Sequence, residues 1–95
     1  MTIKLTKQAQ KQYYKIFEYL RIEFGDAIAK KYEDKVKNFF DLLILFPNMG
    51  SLQISDKNIR GILISKYTKV FYRIKMNRII ILSFFDVRQD PVKKL

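Results

Sequence analysis

The hydrophobic repeat of this chain changes period once, at Pro47, and that change constrains the architecture more than any other feature. Before it, apolar residues recur at steps of three and four. Ala9, Tyr13, Ile16, Phe17, Leu20 and Phe24 mark one helical stripe. Ile28, Tyr32, Val36, Phe39, Phe40, Leu43 and Phe46 mark a second. Only Gly25 and Asp26 separate the two, so Gly25 reads as the stop of one helix and Asp26 as the cap of the next. Thr6 is a suitable N-cap for the first helix, after a short extended start at Ile3–Leu5. The second helix is expected over Ala27–Phe46, where Pro47 ends it. So short a connection demands an antiparallel helical hairpin.

After Pro47 the period falls towards two. Asn48–Asn58 reads as irregular, and strands are expected at Ile59–Ser65, Tyr67–Lys75 and Arg78–Asp86. In the middle strand Thr68, Val70, Tyr72 and Ile74 alternate with Lys69, Phe71, Arg73 and Lys75, which predicts one core face and one basic face. Met76-Asn77 fits a tight hairpin turn, with Asn supplying the positive φ. The expected fold class is α+β. A short N-terminal strand precedes an antiparallel helical hairpin packed on a small antiparallel β-sheet, in the order β-α-α-β-β-β, with residues 1–95 forming a single domain.

Composition removes several functional classes. There is no Cys, so no disulfide and no thiolate ligand. There is no His, so the commonest metal ligand and the commonest general base are both missing, and neither a metal site nor a cofactor is expected. The longest apolar runs, Leu42–Phe46 and Ile79–Leu82, are far too short to span a bilayer. Met1–Leu5 runs into a Lys-rich segment instead of a secretion signal, so no membrane association is expected and a cytoplasmic location is. The net charge is +10, with ten Lys/Arg against three Asp/Glu after residue 50. Such an excess suits nucleic acid, a ribonucleoprotein surface or an acidic protein partner. Lys7, Lys11 and Lys15 read as a solvated helix face.

Several short motifs resemble those of the RelE/ParE toxins of type II toxin–antitoxin systems. Leu5-Thr6 leads into a helix closing on Glu23-Phe24-Gly25, and Phe46-Pro47-Asn48-Met49-Gly50 resembles that family's exit from its second helix. Ile59-Arg60 and Val70-Phe71-Tyr72-Arg73-Ile74 resemble its strands, and Phe85-Asp86-Val87-Arg88-Gln89-Asp90-Pro91 its terminal element. The order and spacing cover nearly the whole chain and lie closest to the ParE branch. The resemblance implies a toxin neutralised by a cognate antitoxin encoded by an adjacent gene. ParE members inhibit DNA gyrase by contact, so the chain is expected to act as a gyrase inhibitor rather than an enzyme. RelE members cut messenger RNA on the ribosome. An inactive toxin that only binds its antitoxin is a third reading.

The candidate site residues follow. Arg60, Lys69, Arg73 and Arg88 are the candidate target contacts. A ribonuclease would use Lys66, Lys69 and Arg88 around the phosphate. It would also need a proton-transfer group, and the terminal Tyr or His usual in that branch is missing from Gln89–Leu95. Each cation also has a structural reading: Lys69 as a charge protecting a sheet edge, Arg73 as an ion-pair partner of Asp86, and Arg88 as a partner of Asp86 and Asp90. The consecutive Leu42–Phe46 run exceeds what one core stripe needs, so Leu42, Leu45 and Phe46 are the candidate antitoxin contacts.

Overall fold

The computed structural model describes residues 1–87. The chain runs β1 (Thr2–Leu5), α1 (Lys7–Phe24), α2 (Asp26–Leu45), β2 (Ser51–Ile54), a 3-10 turn (Ser55–Lys57), β3 (Ile59–Leu63), β4 (Thr68–Lys75) and β5 (Arg78–Asp86). The helical hairpin packs on one face of a five-stranded sheet of order β1-β5-β4-β3-β2. The fold class is the expected α+β arrangement, with two differences in the sheet. It is mixed, because β1 pairs parallel with β5 and places Ile3 beside Ile79 and Leu5 beside Ile81. It also gains an edge strand within the stretch read as irregular: Ser51 pairs with Gly61 and Leu52 with Arg60. A four-residue strand interrupted by a register shift leaves too little alternation to register in the sequence.

Local chemistry explains the helix ends. Thr6 Oγ1 accepts the Ala9 N–H at 3.1 Å and donates to the Leu82 carbonyl at 3.3 Å, so one hydroxyl caps α1 and ties it to β5. Gly25 adopts φ 97°, a region open to glycine, and this lets the chain reverse within one residue. Gly25 itself occupies the N-cap position of α2, and Asp26 is the first helical residue with no side-chain cap, which corrects the assignment of Asp26 as cap. Met76, not Asn77, carries the positive φ of the β4–β5 turn, at 57°.

Core assignment follows the two periods. Tyr32, Val36, Phe39 and Leu43 of α2 meet Val70 and Tyr72 of β4 and Ile79, Ile81 and Phe84 of β5. The step from Ile81 to Phe84 breaks strict alternation. Phe71 pairs with Ser83 and Tyr72 with Ile81, so Leu82 is an extra residue that turns Phe84 back to the helices. Beyond the end of β1, the Phe84 N–H bonds to Gln12 Oε1 at 2.9 Å. Phe24 and Phe46, read from periodicity as stripe residues, are 61% and 60% exposed, because each lies at a helix end beyond the sheet.

Candidate functional site: a basic sheet face and an apolar helix edge

Alternation divides the predicted cations between the two faces of the sheet. Lys69, Arg73 and Lys75 lie on the β4 face turned away from the helices, opposite Val70, Tyr72 and Ile74. Register adds Arg78 across from Lys75, and Lys4 on the far side of Ile80 from Arg73. Among the described residues, the strands place no Asp or Glu on this outer face. The Arg73–Asp86 ion pair does not form. Arg73 stands opposite Ile80 and Asp86 opposite Thr68, several residues apart along the hairpin. Arg73 is half-buried between Ile59 and Ile80, and its Nε is closed off from solvent without a hydrogen-bond partner.

Lys69 has a more settled place. Its Nζ donates to Gln53 Oε1 at 3.1 Å and lies 5.3 Å from the centre of the Phe71 ring. Its strand lies between β3 and β5, so it protects no sheet edge. Lys66 is exposed in the turn before β4, with Nζ 5.3 Å from the centre of the Tyr67 ring. Arg60 does not join Lys69 and Arg73. It pairs with Tyr72 on the helix-facing side and donates through Nη1 to the carbonyls of Gly50, at 2.8 Å, and Asn48, at 3.4 Å. Its guanidinium is held by the loop that leaves α2. Arg88 lies outside the described residues.

Tyr72 holds that same loop from below. Its hydroxyl donates to the Pro47 carbonyl at 2.7 Å and accepts the Gly50 N–H at 2.9 Å. Burial pushes its ionisation above the usual tyrosine range, against the smaller opposing effects of the Gly50 hydrogen bond and the Arg60 charge. The loop in turn sets the end of α2, where Leu42, Leu45 and Phe46 are 47%, 70% and 60% exposed. Leu42 and Leu45 are one helical turn apart on α2, and Phe46 follows as its C-cap, so the three form one apolar edge.

A groove that sequence reasoning did not locate opens at the other end of the hairpin, with a volume of about 770 Å³. Its lining includes Ile16, Tyr32 and Phe84, the three lysines Lys15, Lys31 and Lys35, and one carboxylate, Asp86. The Tyr32 ring stacks on Tyr13, with centroids 5.4 Å apart. Its hydroxyl is buried and unpartnered. Burial pushes the Tyr32 hydroxyl far above the usual tyrosine range, with a smaller contribution from Tyr13. The signal available beforehand was the spacing of Lys31 and Lys35, which Lys30 and Lys37 obscure on a helix this rich in lysine.

Among the described residues no cluster of His, Cys, Asp or Glu could hold a metal ion, and no helix is long and apolar enough to cross a membrane. What the site offers is cationic and apolar contact surface on a RelE/ParE-like fold. The sequence matches the family described as "ParE toxin of type II toxin-antitoxin system, parDE" over residues 3–91, and the chain belongs to that family. Membership implies a cognate antitoxin as partner. The fold is similar to that of a chain from the chromosomal ParDE system of P. aeruginosa, with a TM-score of 0.76 at 20% identity, covering 92% of this chain and 96% of that one. It is also similar to a YoeB/ParE toxin from Agrobacterium tumefaciens, with a TM-score of 0.62 at 12% identity, covering 90% and 98%. A conserved hypothetical protein from Helicobacter pylori gives a TM-score of 0.53 at 21% identity, covering 94% and 97%. The search of curated proteins gives no match.

Proposed function

We propose that this ParE-family toxin inhibits DNA gyrase in the cytoplasm by direct contact through the outer sheet face, with Lys69 and Arg73 as target contacts. The carrying observation is the composition of that face. Lys4, Lys69, Arg73, Lys75 and Arg78 share it with the half-buried Ile80, around the buried rings of Phe71 and Phe85, and the strands add no carboxylate. Cations beside apolar side chains suit a protein or protein–DNA surface, where anchoring groups suffice. Proton transfer to and from a ribose hydroxyl asks for a group that titrates near neutral pH, and an ordinary Lys side chain does not. The hidden Nε of Arg73 leaves a donor that a bound acceptor can satisfy. Arg88 belongs to the same proposal by resemblance. Arg60, bonded to its own loop, supports the site from behind.

The cognate antitoxin is proposed to cover the apolar edge at Leu42, Leu45 and Phe46. These side chains gain by leaving water, at about 25 cal/mol per Å² of apolar surface. Purified toxin is expected to block gyrase supercoiling or trap cleaved gyrase–DNA complex while leaving ribosome-bound messenger intact. Codon-positioned messenger cuts with unaffected gyrase would reverse the choice and assign Lys66, Lys69 and Arg88 to a phosphate clamp.

A further inference from the structure

We propose that the lysine-walled groove and the apolar edge of α2 are two halves of one docking track, and that a single protein segment occupies it, acidic at the groove end and apolar at the other. The proposal rests on the antitoxin reading and names the chemistry of the antitoxin segment. At 3.6 residues per turn, Ile28, Lys31, Lys35, Leu42 and Leu45 fall within about 100° of one another, on one side of α2. From Ile28 to Leu45 the track is about 25 Å long at 1.5 Å per residue.

Its character changes along that length. The first half presents Lys31 and Lys35, joined in the groove lining by Lys15 of α1, so three lysines stand against the one carboxylate there, Asp86. Among the described residues, the ion pairs on this helix join Lys30 to Glu33 and Asp34, and Lys37 to Glu33, and none of them engages the three groove lysines. The second half presents Leu42 and Leu45, continued by Phe46. A nucleic acid would meet the lysines but leave the leucines without a partner. A second copy of this chain, at +10, would bring lysine against lysine. An acidic-to-apolar segment satisfies both halves.

Tyr32 supplies the independent observation. It is 7% exposed and lines the groove, and its hydroxyl has no hydrogen-bond partner. A buried donor of this kind costs stability until an acceptor reaches it. A carboxylate or main-chain carbonyl of the docked segment is the acceptor, so Tyr32 is a specificity-determining residue for a partner that places an oxygen there.

The test uses the full chain and two synthetic helical peptides of about 20 residues, or about 30 Å, of identical composition. One confines Glu to one half and Leu to the other, and the second interleaves them. The segregated peptide is expected to bind about tenfold or more tightly, with an affinity that falls as salt rises. Lys31→Glu/Lys35→Glu and Leu42→Glu/Leu45→Glu are each expected to abolish that preference. Tyr32→Phe gives a signature that a purely structural residue does not: an unchanged or raised melting temperature together with weaker peptide binding. Equal binding of the two peptides overturns the proposal, as does a Tyr32→Phe variant that melts lower and binds normally. Growth arrest that the adjacent gene fails to relieve would instead sink the antitoxin reading and leave the peptide comparison standing.

Discussion

The hydroxyl of Tyr72 accepts the Gly50 N–H at 2.9 Å, and a Cβ at position 50 would fall 2.9 Å from the same oxygen and from Cε1 of the ring. The contact locks the exit from α2 onto the middle of the sheet. Tyr72→Phe leaves the Gly50 N–H and the Pro47 carbonyl without this partner, at a cost of about 1–3 kcal/mol. Gly50→Ala forces the ring aside and is expected to cost about 1–3 kcal/mol as well. Thermal melts check both, since about 1 kcal/mol moves the midpoint by roughly 4–8 °C in a domain of this size. An unshifted midpoint for Tyr72→Phe would show that the hydrogen bonds do not hold the loop.

The β4–β5 turn stores a small strain. Met76 sits at φ 57° and is 87% exposed, so its side chain contributes little packing while its Cβ crowds the backbone. Lys75 and Arg78, directly opposite across the hairpin, add a like-charge pair. Met76→Gly is expected to raise stability by up to about 1 kcal/mol, the relief of the left-handed conformation being partly offset by the greater freedom of glycine when unfolded. Chemical denaturation measures this directly. A loss of stability would mean that the Met76 side chain makes a contact worth more than the strain.

The extent of the fold legible in the sequence is set by how long each pattern runs. Eighteen- and twenty-residue helices give several turns of periodicity, and their stripes were readable. The alternation of β4 was readable as well, and it put Tyr72 on the core face and Lys69 and Arg73 on the other. The edge strand β2 and the parallel pairing of β1 were not, since neither short segment says which strand it joins. The Arg73–Asp86 pair failed because the two-residue turn at Met76-Asn77 fixes Arg73 opposite Ile80, far along β5 from Asp86, which pairs with Thr68. The exposed Leu42, Leu45 and Phe46 edge was visible as a surplus of apolar residues. The groove around Tyr32 was hidden, because four separated segments build it, from α1, α2, the turn into β4 and the end of β5.

With no His in the chain, no imidazole titrates between pH 5 and 8. The alkaline limb belongs to the tyrosines. Burial raises the ionisation of Tyr13, Tyr32 and Tyr72 above the ordinary value of 10.0. Above that pH the unfolded chain loses these protons while the folded chain keeps them, so the unfolded state binds fewer protons and stability falls as pH rises. The stability is fully present below pH 10 and is lost as pH climbs towards the folded-state values. Each fully retained proton contributes about 1.4 kcal/mol per pH unit. Tyr32→Phe is expected to shift the onset of unfolding to higher pH, and Tyr72→Phe to do so from a lower starting stability. Melts taken at intervals from neutral pH upward test this. An alkaline limb unchanged by Tyr32→Phe would remove Tyr32 from it.

On the proposed assignment, toxicity and antitoxin binding use opposite sides of the sheet. Lys69 and Arg73 lie on it, whereas Leu42, Leu45 and the groove belong to the helical side. Lys69→Glu also breaks the hydrogen bond to Gln53, so the conservative variant Lys69→Gln, which can keep a donor there, is paired with it. Arg73→Glu places an acid where the neighbouring strands offer Ile59 and Ile80, while Arg73→Met removes the charge and keeps much of the apolar contact. Lys69→Gln/Arg73→Met is expected to raise the concentration needed to inhibit gyrase supercoiling by about tenfold or more, the equivalent of about 1.4 kcal/mol of binding. The same variant should fold, as judged by its circular dichroism spectrum, and should bind the antitoxin with wild-type affinity. Leu42→Glu/Leu45→Glu should do the reverse, keeping growth arrest and losing its relief by the antitoxin. If the two variants instead lose both activities together, toxicity and neutralisation share one surface, and the assignment of the outer face to the target is wrong.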